Sequence, residues 1–286
     1  MPGWLRRHRG VIPYLFLLPG TLWLLVLFVI PMLAMASVAL QEGSLGTGYR
    51  LTFNFGIFPE VLARWNEQFL RSVLYGLAVT VLTLAIGYPM AYTIAFRGGR
   101  YKNILLLLVI LPFFTSFIIR TISWKFILAD QGFVLGALKD WGWVDEGFRV
   151  LATPAAVIAG ITYNYLPFVV LPLYVALEKI DYRLIEAATD LYASRLQAFL
   201  RVTLPLSISG VFAATLLSFI PAVGDYLNAE LLGSRSETMI GNVIQRLYLV
   251  NNDYPQASAL SLILMFGIVI SIFFYRRVLR GQELTI

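Results

Sequence analysis

Six apolar runs dominate this chain, each long enough to cross a bilayer as an α-helix, and they leave few folds open to it. They fall at residues 12–40, 70–96, 103–129, 151–177, 204–232 and 257–279. About 20 consecutive apolar residues suffice for a helical crossing. Of 286 residues, 59% are hydrophobic and only 13% charged, whereas a soluble domain carries about 25% charged residues. Lipid offers no partner to a free backbone N–H or C=O, which excludes open sheets. The expectation is an all-α polytopic membrane protein with six transmembrane helices.

An even number of spans puts both termini on one side. That side would hold thirteen cations, Arg6, Arg7, Arg9, Arg97, Arg100, Lys102, Lys179, Arg183, Arg195, Arg201, Arg276, Arg277 and Arg280. Five acids stand against them, Glu178, Asp181, Glu186, Asp190 and Glu283, for a net of +8. The other side is left with −2, which accounts for the chain's +6. The basic face is expected to be cytoplasmic. Topology thus explains the charge, and no nucleic-acid partner is needed. Arg6, Arg7 and Arg9 could open a signal peptide, with Ala34-Met35-Ala36 as its cleavage site. A signal core is about 7–15 residues, and this run is longer, so the first span is expected to be retained.

Enzymatic readings find little support. The chain has no cysteine and one histidine, His8, in the basic tail. No metal-ligand cluster or Ser/His/Asp constellation can be assembled from it. No G-x-x-x-x-G-K-[ST] string is present, so the chain has no phosphate-cradling loop of its own. We expect no catalytic residue, no metal site and no cofactor bound by this chain.

The chain divides into residues 1–66, holding the tail, first span and an external loop, and a transmembrane domain over 67–280. The outer segment 41–69 is rich in glycine and aromatics, and 130–150 carries Trp141 and Trp143, suited to the lipid–water boundary. Between spans four and five lies the longest cytoplasmic connection, 178–204. Ile185, Ala188, Tyr192, Leu196 and Phe199 recur there at helical spacing and make one apolar stripe. Glu186, Asp190, Ser194, Gln197 and Arg201 make the opposite face. Such a helix lays its stripe on a membrane surface or in a protein groove. The mixed charge of the polar face favours a protein.

Glu186-Ala187-Ala188, Asp190-Leu191, Ala193-Ser194, Phe199, Val202 and Leu204-Pro205 together resemble the EAA loop of type I ABC import permeases. In that family the loop forms coupling helices seated in a cleft of the nucleotide-binding subunit. The resemblance implies that Glu186, Ala187, Ala188, Asp190, Tyr192, Ala193, Leu196 and Phe199 couple to an ATPase. It extends over most of the chain: Leu18-Pro19-Gly20, Tyr88-Pro89-Met90-Ala91-Tyr92, Arg120-Thr121-Ile122-Ser123-Trp124, Leu166-Pro167, Leu171-Pro172-Leu173-Tyr174 and Gly241-Asn242-Val243-Ile244. These are similar to the B-type permease of spermidine/putrescine importers. The implied partners are a second homologous permease, two ATPase subunits holding ATP and Mg, and an external solute-binding protein, all at a bacterial inner membrane. Two positions depart from the family: Tyr192 stands where glycine is usual and Ser209 where proline is usual. Glycine suits a bend, so with tyrosine the helix is expected to run straighter or to break one residue away.

Polar groups inside spans are costly and point to function. Along straight helices, Asp225 would lie about 30 Å beyond Pro205, Arg120 about 27 Å beyond Lys102, and Asn164 about 20 Å inside Leu151. Asp225 and Arg120 either pair or reach separately for the interface, or Asp225 meets a cationic solute. Tyr163, Asn164, Arg120 and Trp124 complete the candidate path, although a helix-packing hydrogen bond suits Asn164 somewhat better than lining the path. Asn228 and Glu230 are expected at the surface. Pro221, directly followed by polar residues, is a candidate bend. The solute implied by the resemblance is a polyamine, with another small solute as the alternative. An ion-coupled secondary transporter is the rival class, but inverted repeats and a midplane acid are not found.

Overall fold

The computed structural model describes residues 12–283, with side chains over 16–277. Arg6, Arg7, His8 and Arg9 lie outside the described residues, as do the side chains of Arg280 and Glu283.

The first apolar run folds as α1 (Ile12–Leu24), a π-helical turn (Leu25–Val29) and α2 (Ile30–Ala39). An antiparallel hairpin follows, β1 (Gln41–Ser44) and β2 (Gly48–Leu51), in register from Gln41 opposite Leu51 to Ser44 opposite Gly48. After α3 (Ile57–Arg64) come α4 (Asn66–Arg97), α5 (Lys102–Ile110), α6 (Phe117–Leu128), α7 (Phe133–Asp140) and α8 (Pro154–Glu178). The segment after α8 supplies α9 (Tyr182–Asp190), α10 (Arg195–Ala198), a π-helical turn (Phe199–Thr203) and α11 (Leu204–Leu206). The chain ends with α12 (Ile208–Val223), α13 (Leu227–Leu232), α14 (Ile240–Leu249) and α15 (Tyr254–Glu283).

Two compact units result: one from residues up to Arg64 together with those from Ile244 onward, the other Trp65–Val243. In the first, α15 packs on α2 and α3, and Tyr49, Tyr248 and Tyr254 stack where the hairpin meets the start of α15. In sequence terms α15 belonged with 67–280; in the fold it groups with the N-terminal segment. In the second unit α4, α8 and α12 pack on one another. Val79, Ala91 and Ile94 of α4 are buried against Ile161, Val169, Leu173 and Leu177 of α8 and Ala214 and Ala222 of α12.

Four helices are long and apolar enough to cross a membrane: Phe16–Ala39, Asn66–Arg97, Pro154–Glu178 and Tyr254–Arg277. Two further spans are bent pairs, Gly99–Phe114 with Phe117–Asp140 at 93° and Arg195–Leu206 with Ile208–Val223 at 70°, giving six in all. The bends overturn the straight-helix distances expected above. Pro112 opens a 3-10 turn (Leu111–Phe114), and Thr115 turns extended and closes its hydroxyl on the Pro112 carbonyl at 2.7 Å. Arg120 therefore lies beyond a right-angled break. The fifth run breaks at Ser207 and its helix stops at Gly224, so Asp225 sits in a turn rather than along a helix, and Pro221 lies in the last turn before that stop. On α8, Thr153 caps the helix by accepting from the Ala156 N–H and Pro154 takes the first position, as the missing N–H of proline favours. Asn164 is thus ten residues inside its helix, about 15 Å rather than 20 Å.

Candidate functional site

Two constellations emerge, both within the Trp65–Val243 unit. The first is the segment between α8 and α12. Asp181 caps α9 by accepting from the Arg183 N–H at 3.0 Å. The helix ends at Leu191 with paired closing bonds, Tyr192 N–H to Thr189 O at 3.0 Å and Ala193 N–H to Ala188 O at 3.1 Å. This is the Schellman arrangement, whose closing residue is left-handed and usually glycine. Here Tyr192 takes that role with φ +64°. The expectation of a straighter helix or a shifted break is thus corrected. The break falls at Tyr192 itself, because two backbone hydrogen bonds and a new cap hold it there. That new cap is Ser194, which accepts from the Gln197 N–H while the Gln197 side chain accepts from the Ser194 N–H, a capping box that starts α10.

The break also splits the apolar stripe. A left-handed residue resets the helical phase, so Ile185 and Phe199 turn inward while Tyr192 and Leu196 turn outward. Ile185 and Ala198 are buried. Phe199 packs edge-on against Tyr88 of α4 at 5.4 Å between ring centres. Leu191, Tyr192 and Leu196 are 81%, 98% and 66% exposed, an apolar knob that this chain leaves uncovered. Glu186, Ala187 and Asp190 are exposed and Ala188 and Ala193 half-buried. Of the eight residues assigned to coupling, Phe199 alone joins the helical core through an aromatic contact.

The second constellation is a buried polar network where α6, α8 and the turn before α13 meet. The Asp225 carboxylate accepts from the Asn228 N–H and from Asn228 Nδ2, both at 2.8 Å. Asn228 Oδ1 accepts from Asn164 Nδ2 at 3.1 Å and from the Thr121 hydroxyl at 3.3 Å. Asn164 Nδ2 also reaches Thr121 Oγ1 at 3.3 Å. Asp225 is 5% exposed, Asn164 1% and Asn228 0%. Two glycines make this packing possible. A Cβ on Gly160 would meet Leu232 Cδ1 at 2.3 Å and Asn228 Oδ1 at 3.0 Å. One on Gly241 would meet the Gly224 carbonyl at 2.6 Å. Next to it, Asn242 Nδ2 donates to the Tyr226 carbonyl at 2.7 Å, pinning the turn that carries Asp225.

Sequence reasoning placed Asn228 at the surface, whereas it is the hub of the network. The signal lay in the spacing Asp225-x-x-Asn228, which suits a carboxylate that caps the helix three residues on. Glu230 is exposed but accepts from Asn242 Nδ2 at 3.2 Å. Asp225 and Arg120 do not pair: among the described residues no ion pair joins them. The Arg120 guanidinium instead lies over the rings of Phe113 and Phe117, at 4.8 and 5.7 Å, and its buried Nε and Nη1 find no hydrogen-bond acceptor among the described residues. Tyr163 and Trp124 pack edge-on at 5.3 Å, both half-buried. The candidate path thus resolves into one aromatic pair, one stacked cation and one closed polar network. Among the described residues no cluster of metal-ligating side chains is found.

These features describe a multi-pass helical membrane protein whose capped, two-helix segment leaves an apolar tip uncovered. Residues 83–283 match the family described as binding-protein-dependent transport system inner membrane component. The chain belongs to that family, as a multi-pass inner-membrane permease subunit of an ABC importer. It is 37% identical over 261 residues to the spermidine/putrescine transport system permease protein PotB of Haemophilus influenzae, covering 89% of this chain and 90% of the relative. Against the PotB of Escherichia coli it is 34% identical over 254 residues, covering 88% and 92%. Among solved structures, a bacterial ABC transporter that imports alginate superposes with a TM-score of 0.69 at 21% identity, over 97% of this chain and 98% of the other. The MetNI methionine ABC transporter gives 0.58 at 18% identity, over 78% and 96%. At such identities the likeness is one of fold.

Proposed function

We propose that this chain forms half of the translocation path of an ATP-driven polyamine importer. The observation that carries the reading is the end-to-end likeness to permeases of spermidine/putrescine systems, spread over about nine-tenths of both chains. The partners are a second, related permease, two nucleotide-binding subunits that hold ATP and Mg, and an external solute-binding protein. Both termini face the cytoplasm, where the basic residues gather. The chain supplies no ATPase chemistry.

The uncovered tip at Leu191, Tyr192 and Leu196, flanked by Glu186, Ala187, Ala188, Asp190 and Ala193, is the surface offered to a nucleotide-binding subunit. Burying that tip gains roughly 1.5–3 kcal/mol for each large apolar side chain, whereas no comparable gain is available in water. Phe199 faces the other way and carries the movement inward. Polyamines combine ammonium groups with methylene stems, which suit aromatic faces. Tyr163 and Trp124 offer such faces beside the network of Asn164 and Asp225. Arg120, stacked on Phe113 and Phe117, guards the same end of α6. ATP-driven closure of the nucleotide-binding subunits would select between states of the path through their different contacts with the segment.

The test is uptake of labelled spermidine and putrescine into cells without their own polyamine import, expressing this chain with the partner subunits encoded beside it. ATP-dependent accumulation of either amine is the expected result. Full assembly and stimulated ATP hydrolysis without uptake of either amine would exclude polyamines as the cargo. A reporter fused after Ile286 that is active only outside the cell would exclude the orientation.

A further inference from the structure

The cytoplasmic segment is held to α4 by an unusually concentrated set of contacts. Tyr88, Tyr92 and Phe96 lie four residues apart and share one face of α4. Phe199, first residue of the π-helical turn, stands edge-on to Tyr88 at 5.4 Å and to Tyr92 at 6.3 Å. Tyr92 touches Phe96 at 4.8 Å, and Phe96 touches Tyr182 at the start of α9 at 5.7 Å. Both ends of the segment therefore rest on the same three rings. The single polar contact in this group joins Tyr88 Oη and Ser207 Oγ at 2.7 Å. Ser207 Oγ also lies 3.1 Å from the Leu204 carbonyl, and either hydroxyl can donate in its pair with Tyr88.

The position of this bond is informative at both ends. Ser207 is fully buried and occupies the 70° bend between Arg195–Leu206 and Ile208–Val223. Tyr88 immediately precedes Pro89, inside α4. Proline has no N–H to give to the carbonyl four residues back, here Ala85, and a helix is weakest at such a point. The bond thus links the hinge of the fifth span to the weakest turn of the second.

We propose that Tyr88 and Ser207 are positioning residues that transmit movement of the cytoplasmic segment into α4. The inference rests on the reading that residues 186–199 meet a nucleotide-binding subunit. With the bond in place, displacement at the tip passes through Phe199 and Ser207 to Tyr88 and flexes α4 at Pro89. Without it the hinge turns alone and ATP hydrolysis proceeds with little solute movement. Neither residue touches ATP or solute.

The experiment uses the full complex with its binding protein in proteoliposomes, and measures ATP hydrolysed per polyamine imported. Tyr88→Phe removes one hydroxyl and leaves the ring. Ser207→Ala removes its partner. Each should raise the ratio about three- to tenfold, the equilibrium factor of one interhelical hydrogen bond in a membrane protein. The double variant should be no worse than either single, because both break the same bond. Thr93→Ala, which removes a hydroxyl bonded only to the Pro89 carbonyl of its own helix at 2.8 Å, should leave the ratio unchanged. An unchanged ratio in both single variants, a parallel fall of hydrolysis and uptake, or additive effects in the double variant would each overturn the proposal. Should Ser207→Ala lower abundance, Tyr88→Phe against Thr93→Ala decides alone. If the nucleotide-binding subunits fail to assemble with the unaltered chain, the docking reading fails and this one with it. Normal assembly with an unchanged ratio overturns this inference only.

Discussion

Replacing Asp225 by alanine and by asparagine should give very different proteins, and the network around it says by how much. The carboxylate accepts from two donors, the Asn228 N–H and Asn228 Nδ2. Asp225→Ala strands both in a site where Asp225 itself is 5% exposed and Asn228 wholly buried. A stranded buried donor costs about 1–3 kcal/mol, so the loss is at least about 2 kcal/mol even if some of the space relaxes. Asp225→Asn retains one acceptor for the Asn228 N–H but sets an amide N–H₂ against Asn228 Nδ2. Turning over the Asn228 amide removes that conflict and creates another with Asn164 Nδ2. Turning over Asn164 in its turn brings its unpartnered Oδ1 to the Asn228 amide. Two amide flips thus absorb the change, and the net loss should be near 1 kcal/mol or less. At about 2 °C per kcal/mol, the low end of the usual range for a large chain, Asp225→Ala should lower the midpoint by at least roughly 4 °C and Asp225→Asn by about 2 °C or less. The assay is thermal unfolding of the detergent-solubilised protein, followed by size-exclusion chromatography of the surviving fraction. Equal midpoints for the two variants would refute the network as the organiser of this turn. Uptake by Asp225→Asn, normalised to membrane abundance, then asks separately whether the charge serves the solute.

Gly160→Ala should destabilise by about 1–3 kcal/mol, the usual cost of overpacking, because its Cβ would press on Leu232 and Asn228; Gly20→Ala, with nothing within 4 Å, should melt with the unaltered protein. Tyr192→Gly relieves left-handed strain of about 1–2 kcal/mol but loses about 0.4–1 kcal/mol through the freer unfolded chain. Its melting point should therefore rise slightly, while its assembly with the nucleotide-binding subunits should weaken because the tip loses one large side chain. Tyr192→Val, with a branched Cβ at φ +64°, should melt below both the unaltered protein and Tyr192→Gly, and indistinguishable melting of the valine and glycine variants would remove the backbone argument. Lys102 and Glu178 meet at 2.7 Å; Lys102→Glu or Glu178→Lys alone should reduce thermal stability by at most about 1 kcal/mol, and the two together should restore it.

Much of the fold was legible because the bilayer imposes its demand residue by residue. A run of apolar side chains must be helical wherever it lies in lipid, so run length alone announced six spans. The segment between α8 and α12 was equally local: Asp181, Ser194 and Gln197 cap helices only a few residues away, and the wording of residues 186–205 carried the family. The breaks were harder. Pro112 and Pro205 are visible as prolines, yet whether a membrane helix bends at a proline depends on what neighbouring elements offer the freed backbone groups. Tyr192 shows the same limit from the other side. Its identity argued against a break there, and Schellman hydrogen bonds together with the Ser194 cap outweighed about 1–2 kcal/mol of strain.

The sequence by itself therefore determined the class, the number of spans and the amphipathic segment between the fourth and fifth of them. Only the tertiary structure decided the site. Asn164 and Asn228 stand 64 positions apart and Tyr88 and Ser207 119 apart. Nothing in the local pattern of either chain segment selects its mate. A buried polar atom needs some partner but not a particular one, and which one it finds depends on how the helices are bent and packed. For the same reason Arg120 and Asp225, the two charges most easily paired on paper, do not meet: a right-angled break after Phe114 sends Arg120 to the rings of Phe113 and Phe117, while the turn after Gly224 closes Asp225 onto Asn228.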